Sequence, residues 1–114
     1  MTEVSVIINC LNGEMYLRDC LDSVFAQTFQ DWEIVFWDNA SIDKTSEIAN
    51  IYGEKVRYFR AESTTDLGLA RSRAYQQTRG NYIAILDFGF SNLKSVSNAL
   101  SFLGFKYELI NLIG

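Results

Sequence analysis

The sequence predicts a three-layer α/β fold built on an open parallel β-sheet. Four short runs of β-branched and aromatic residues alternate along the chain with segments whose apolar residues recur at three- and four-residue spacing. The run at 82–86 is apolar without interruption, which is typical of a central parallel strand covered on both faces. In sheets of this kind the ligand site lies beyond the carboxyl ends of the strands.

The predicted strands are residues 4–8, 33–37, 56–59 and 82–86, and Asn12-Gly13 supplies turn chemistry after the first of them. We expect the second strand, 32–38, to lie parallel to the first, 3–9. The fourth strand, 82–87, should lie on the other side of the first. The connections between them should be right-handed crossovers.

Helices are predicted between the strands. The first has one apolar face, formed by Tyr16, Leu17, Cys20, Leu21, Val24 and Phe25. Ser41 is expected to cap the second helix, and Asp43 in its first turn complements the helix dipole. Ile48, Ile51 and Tyr52 should form the buried stripe of this helix.

The rest of the chain continues the alternation. A third helix is predicted over 67–78. A fourth is predicted over 93–103, because Leu93, Val96, Ala99, Leu100 and Leu103 recur at helical spacing. Gly104 can end the fourth helix, and 105–110 resembles a last strand. The sequence therefore predicts a single α/β domain over residues 1–114.

Composition narrows the classes of function. The net charge of −4 argues against a nucleic-acid partner, because non-specific binding to phosphates depends on clustered Lys and Arg. Histidine is absent, which excludes Ser-His and Cys-His nucleophiles.

Cys10 and Cys20 do not form a CxxC pair, so both are expected to be reduced thiols. No apolar run reaches the roughly 18 residues of a membrane span, and a cytoplasmic location is expected.

Three ordered motifs resemble the family-2 glycosyltransferases of the GT-A type. They are VSVIINCLNG at 4–13, EIVFWDNASIDKT at 33–45, and LGLARSRA at 67–74 followed by GNYIAILD at 80–87. The resemblance implies a Rossmann-like GT-A half-domain, with residues 1–87 as its nucleotide-binding part. Its ligand would be a UDP-sugar or another nucleotide sugar, and the family reaction is sugar transfer to an acceptor hydroxyl.

The resemblance assigns nucleotide binding to three residues. It implies that Asp38 contacts the nucleotide, since a carboxylate at a strand end can accept a hydrogen bond from a uracil imide or a ribose hydroxyl. The alternative is a carboxylate that only caps the turn before Ser41. Arg71 matches the family's arginine near the nucleotide, where a guanidinium donates to base or phosphate oxygens. Asn12 completes the predicted set.

Two neighbouring charged residues receive other roles. Asp43 is similar to the second acid of the family's turn, but an acid in a first helical turn is also ordinary dipole chemistry, and we favour the structural role. Arg73 has no counterpart in the family and is expected to be a solvated surface residue.

The metal motif of the family is incomplete here. The fourth strand of the family leads into Asp-x-Asp, whose carboxylates hold Mg²⁺ or Mn²⁺ against the diphosphate. This chain has Asp87-Phe88-Gly89-Phe90 instead, so Asp87 is the one candidate ligand for a divalent cation. The family's general base lies later than any residue present, and no catalytic residue is assigned.

Residues 85–109 resemble a different family. ILDFGFSNLKSVSNAL at 85–100, with Leu103-Gly104, is similar to the start of the glutamine amidotransferase subunit of imidazole glycerol phosphate synthase. This predicts a truncated or spliced reading frame in which 88–114 is the amidotransferase-like part. Glutaminase activity is excluded, because its catalytic His is missing.

Three functions remain open at the level of sequence. The leading one is a glycosyltransferase-like domain that binds a nucleoside diphosphate sugar. The second is a catalytically inactive nucleotide-binding or structural remnant, which would transfer no sugar on its own. The third is an amidotransferase fragment that docks on a cyclase subunit.

Overall fold

Four parallel strands form one sheet within residues 2–88, the part of the chain that the computed structural model describes. They are β1 Val4–Cys10, β2 Trp32–Asp38, β3 Val56–Arg60 and β4 Tyr82–Phe88. The strand order is β3-β2-β1-β4, so both predicted neighbours of the first strand are confirmed. The bounds 32–38 predicted for the second strand are those observed, and β1 and β4 each continue beyond their predicted carboxyl ends by one or two residues. The predicted fourth helix and last strand, 93–110, lie outside the described residues.

Three helices connect these strands: α1 Glu14–Phe25, α2 Thr45–Ala49 and α3 Leu67–Tyr75. The apolar face of α1 is confirmed, because Leu17, Cys20, Leu21 and Val24 are all buried. These residues anchor the helix on the sheet through burial of apolar surface.

The prediction for the second helix was partly wrong. The helix begins at Thr45, after an N-cap Lys44 whose side chain makes no capping hydrogen bond. Ser41 does not cap it, because its hydroxyl accepts a hydrogen bond from the amide of Asn12 instead. Ile48 is buried as predicted, but the helix ends before Ile51, whose side chain is 65% exposed.

Alternate residues of each strand pack on opposite faces of the sheet, which produces the three layers. One face packs with α1 and α2, and Ile8, Ile34 and Phe36 lie in its core. The other face packs with α3, where Ile7 and Val35 contact Ala74. On the first face the indole of Trp32 is nearly buried, and the ammonium of Lys55 lies 3.7 Å from its ring centroid.

A buried polar network fixes the connection between α3 and β4 at the amino edge of the sheet. The hydroxyl of Ser5 donates to Glu33 at 2.6 Å, and it accepts the amide of Gly80 at 2.8 Å. Glu33 also accepts the amide of Arg79 at 2.8 Å and the guanidinium of Arg57 at 2.9 Å. The chain therefore reaches the start of β4 through contacts with β1, β2 and β3.

Gly80 is required here for space. A Cβ at this position would lie 2.6 Å from the backbone nitrogen of Ser5 and 2.8 Å from the carbonyl carbon of Val4. We expect Gly80→Ala to lower the free energy of unfolding by about 1–3 kcal/mol, because β1 or the turn must shift. Urea denaturation measures this change.

Gly68→Ala is the matched control, since its Cβ would meet only the Asp66 carboxylate at 3.4 Å. Within α3 the alanine should be neutral or stabilising, by up to about 1 kcal/mol. Equal stability of Gly80→Ala and the wild type would show that the turn is not held against β1.

Glu33 should make stability depend on pH. Burial acts to raise its pKa, but hydrogen bonds from Ser5, the Arg79 amide and Arg57 outweigh burial and lower the pKa below 4.5. A depressed carboxyl pKa stabilises the fold above the unfolded value, and this stabilisation is lost as the pH falls through the folded pKa. We expect Glu33→Gln to be about 1–3 kcal/mol less stable than the wild type at pH 7.

This difference should shrink as the pH falls below about 4.5, because the unfolded wild-type chain then binds a proton at Glu33 and the folded protein does so only at lower pH. Urea denaturation at a series of pH values gives the two curves, and Glu54→Gln, at an exposed position, serves as the control. Parallel curves for wild type and Glu33→Gln would contradict this role of the carboxylate.

Candidate functional site

The carboxyl ends of β1, β2 and β4 meet at one edge of the sheet. Asp38 pairs with Cys10, and Asp87 pairs with Asn9 on the other side of β1. The chain passes outward from β1 to β2 and β3, and then returns to place β4 on the opposite side of β1. The crevice between β1 and β4 is therefore the topological switch point, where open α/β sheets bind their ligands.

Asp38 is completely buried at this edge and is held by three donors. Its Oδ1 accepts the amide of Ser41 at 2.8 Å. Its Oδ2 accepts the hydroxyl of Tyr58 and, at 2.9 Å, the Nη1 of Arg60. The capping of the turn before Ser41, expected as the alternative to nucleotide contact, is thus present, and it occupies one side of one carboxylate oxygen.

The turns after β1 and β2 are joined to each other by hydrogen bonds. Asn12, with φ 54°, accepts the amide of Ile42 on its Oδ1 at 2.8 Å. The amide of Gly13 donates to the hydroxyl of Thr45 at 3.0 Å. The side chain of Asn12, predicted to bind nucleotide, therefore orders the turn that follows Asp38.

Asp43 has a structural role in this junction. Its carboxylate accepts the amide and the hydroxyl of Thr45 and, at 3.2 Å, the amide of Glu14 at the start of α1. Burial acts to raise its pKa, but these hydrogen bonds outweigh burial and lower it. The charge of Asp43 is thus used to join α2 to α1.

Asn39 ties the turn after β3 to the same edge. Its Nδ2 donates to the carbonyl of Thr65 at 2.8 Å, and its Oδ1 accepts the amide of Thr65 at 3.1 Å. The next residue, Asp66, caps α3 by accepting the amide of Leu69 at 2.8 Å. The orientation of α3 is therefore linked to the end of β2.

A cleft of about 430 Å³ opens at the ends of β2 and β3. Its lining consists of Trp37, Arg60, Ala61, Glu62, Ser63, Thr65 and Arg73. The volume lies within the range of small-molecule sites. Arg60 belongs both to this cleft and to the cluster around Asp38, so the buried carboxylate and the cleft share one guanidinium.

The two arginines of α3 lie in different places. Arg73, predicted to be a solvated surface residue, is exposed but also lines the cleft. Arg71, predicted to bind nucleotide, is exposed and is not part of the cleft lining. Positions two residues apart on a helix point in nearly opposite directions, which explains the separation.

Sequence reasoning missed Tyr58 and Arg60. Both lie on β3, two residues apart, and so they face the same side of the sheet. The available signal was the polar, basic end of the run Val56–Arg60, whose last residue pairs with Asp38. That signal becomes specific only when β3 is known to lie beside β2.

The cysteines take no part in chemistry at this edge. Cys10 and Cys20 are free and buried, and burial raises the pKa of each thiol to about 12. A thiol with such a pKa is not a nucleophile at neutral pH, because the thiolate is the reactive form.

The side chains that the structure describes do not assemble a cluster of metal ligands. Within 2–88 no group of three or more Cys, Asp or Glu side chains is placed to hold a metal ion. The backbone of Asp87 lies at the end of β4, but its side chain is outside the described part of the chain. Its assignment as a metal ligand therefore stays a prediction.

The family is shown by comparison with known proteins. The sequence model of the family glycosyl transferase family 2 matches residues 5–88 of this chain. The chain belongs to this family. It is 39% identical over 84 residues to the uncharacterized glycosyltransferase RT0329 of Rickettsia typhi, covering 74% of this chain and 26% of that protein. It is 34% identical over 88 residues to glycosyltransferase GlyA of Streptococcus pneumoniae, covering 75% and 12%.

Two solved structures of other proteins share the fold. S. aureus TarS, crystallised with UDP-GlcNAc, has a TM-score of 0.72 and 26% identity, covering 91% of this chain and 32% of that one. The mannosyltransferase PcManGT of Pyrobaculum calidifontis, in complex with GDP-Man and Mn²⁺, has a TM-score of 0.70 and 21% identity, covering 89% and 32%. The predicted GT-A, Rossmann-like architecture is confirmed.

This family-2 chain spans about a quarter or less of the length of those two curated relatives. The match to the family model ends at residue 88. The comparisons give no support to the amidotransferase resemblance at 85–109, and most of that segment lies outside the described residues.

None of the helices within 2–88 is long and apolar enough to cross a membrane.

Proposed function

We propose that the carboxyl edge of this family-2 sheet binds a nucleoside diphosphate sugar. The base would lie at Asp38 and the diphosphate toward the ends of β1 and β4. The observation that carries the proposal is the position of Asp38, a buried carboxylate one strand away from the switch point and beside the cleft. A carboxylate fixed at such a point can accept a hydrogen bond from the imide of uracil.

UDP is the proposed nucleotide. TarS, which is 26% identical to this chain, has been crystallised with UDP-GlcNAc. Sugar transfer to an acceptor hydroxyl is proposed for a whole protein that contains this chain, since the relatives are several times longer. The alternative of a catalytically inactive remnant, either nucleotide-binding or structural, has no support from the comparisons.

Arg71 and Asn12 complete the proposed site in different ways. Arg71 would donate to base or phosphate oxygens from the exposed side of α3. Asn12 acts mainly through the turn that it orders, because its side-chain oxygen already accepts the amide of Ile42. The first is a direct ligand contact, and the second supports the shape of the edge.

Asp38→Asn tests the role of the carboxylate. Asparagine keeps the volume, and its one oxygen can still accept the amide of Ser41. Its Nδ2 cannot accept from Arg60, so the variant must be shown to fold before its affinity is compared. We expect calorimetric titration to show UDP affinity weaker by about 1–3 kcal/mol, because the imide donor and the surrounding cations lose the charge. This corresponds to roughly 5- to 150-fold in Kd.

Asp22→Asn is the matched control. Asp22 also accepts a tyrosine hydroxyl, that of Tyr52 at 2.7 Å, but on the exposed side of α1. It should bind UDP like the wild type. A folded Asp38→Asn protein with wild-type UDP affinity would refute the role of Asp38.

Arg71→Gln and Arg73→Gln separate the two arginines of α3. Both changes remove one exposed guanidinium from the same helix. If Arg71 contacts the phosphates, Arg71→Gln should weaken UDP binding by about 1.5–3 kcal/mol and uridine binding much less. Arg73→Gln should weaken UDP binding less in the same titration. A larger effect of Arg73→Gln than of Arg71→Gln would indicate that the nucleotide binds in the cleft.

A further inference from the structure

The carboxylate of Asp38 is almost saturated by the protein. An ionised carboxylate offers about four acceptor positions, two on each oxygen. Tyr58 and Arg60 fill both positions of Oδ2, and the amide of Ser41 fills one of Oδ1. Among these contacts within 2–88, the remaining acceptor position is on Oδ1.

Tyr58 holds Oδ2 from the inner side of the cluster. Its ring is stacked on Phe36, with centroids 5.8 Å apart and planes 17° apart, so packing fixes the position of the hydroxyl. Burial, together with the hydrogen bond to Asp38, raises the pKa of Tyr58. The phenol therefore remains a protonated donor at neutral pH.

Arg60 holds the same oxygen from the cleft. Its Nη1 donates to Asp38 at 2.9 Å, and its Nη2 donates to the carbonyl of Ser41 at 2.8 Å. One planar guanidinium thus bridges the carboxylate and the turn that supplies the third donor. Lysine cannot make both contacts with this geometry.

We infer that Tyr58 and Arg60 are positioning residues, which occupy Oδ2 and thereby direct the free acceptor position of Oδ1 toward the base of the nucleotide. The inference rests on the proposed binding of UDP at Asp38. The two residues act through Asp38 on the selection of the base, so their effect should be coupled to that carboxylate.

The test is a double-mutant cycle with UDP as the probe and the 114-residue chain. Tyr58→Phe keeps the stacked ring and removes only the hydroxyl. We expect it to weaken UDP binding roughly three- to tenfold. In the Asp38→Asn background the same change should alter Kd less than about twofold. Tyr52→Phe, which removes a phenol from Asp22 on the surface of α1, should bind like the wild type.

A second ligand distinguishes positioning from a general loss of structure. UDP carrying a methyl group on the imide nitrogen has no donor for Asp38, so the wild type should prefer UDP over it. Tyr58→Phe should reduce this preference, and so should Arg60→Lys, which serves as the second variant if Tyr58→Phe does not fold. A merely structural role would lower affinity for both ligands equally.

The outcomes separate the two proposals. A wild-type chain that does not bind UDP, or that binds it equally after Asp38→Asn, overturns the proposed function and the inference together. A second outcome overturns the positioning role alone. In it, Asp38→Asn is impaired, but Tyr58→Phe and Arg60→Lys both keep the wild-type affinity for UDP and the wild-type preference for UDP over its methylated form. Additive effects in the cycle also overturn it, because they show that Tyr58 does not act through Asp38.

Discussion

The burial of the Asp38 carboxylate is the constraint on which the carboxyl edge depends. A charge without contact to water is tolerated only when donors replace its hydration. Here the donors come from β3 and from the turn after β2. The pairing of β3 with β2, the path of residues 39–41 and the direction of Arg60 are therefore fixed together. Loss of any one donor would leave a buried, incompletely paired charge.

A buried carboxylate lies at each edge of the sheet, and the two have different structural roles. At the amino edge, Glu33 binds Ser5, Arg57 and the amide of Arg79, and the cluster closes a connection of the chain. At the carboxyl edge, Asp38 orders turns that face a cleft. Both arrangements meet the same physical requirement, because donors from neighbouring strands and turns replace the water that each buried carboxylate loses.

The fold could be predicted from the sequence because apolar strand runs alternate with helical segments, of which α1 has the clear apolar periodicity. The short α2 was harder, since Ser41 is a good capping residue but is already engaged by the amide of Asn12. Asp38 could be selected from its place at the carboxyl end of a strand together with the family resemblance, and its contact with a nucleotide stays a prediction. Tyr58 and Arg60 could not, because their role requires the neighbour relation of β2 and β3, which local sequence does not contain. Arg73 is exposed, as predicted, but its place in the cleft lining also depends on this neighbour relation and could not be predicted.

The two tryptophans of β2 lie at opposite ends of the strand and on opposite faces of the sheet. Trp32 is nearly buried under the ammonium of Lys55, whereas Trp37 lines the cleft and stacks on Phe59 with ring centroids 6.2 Å apart. Their fluorescence therefore reports on different parts of the molecule. Emission from Trp37 should respond to molecules that enter the cleft, while emission from Trp32 should change when the hydrophobic interior opens. When one tryptophan is replaced at a time, the fluorescence of the other distinguishes occupancy of the cleft from unfolding, without any added label.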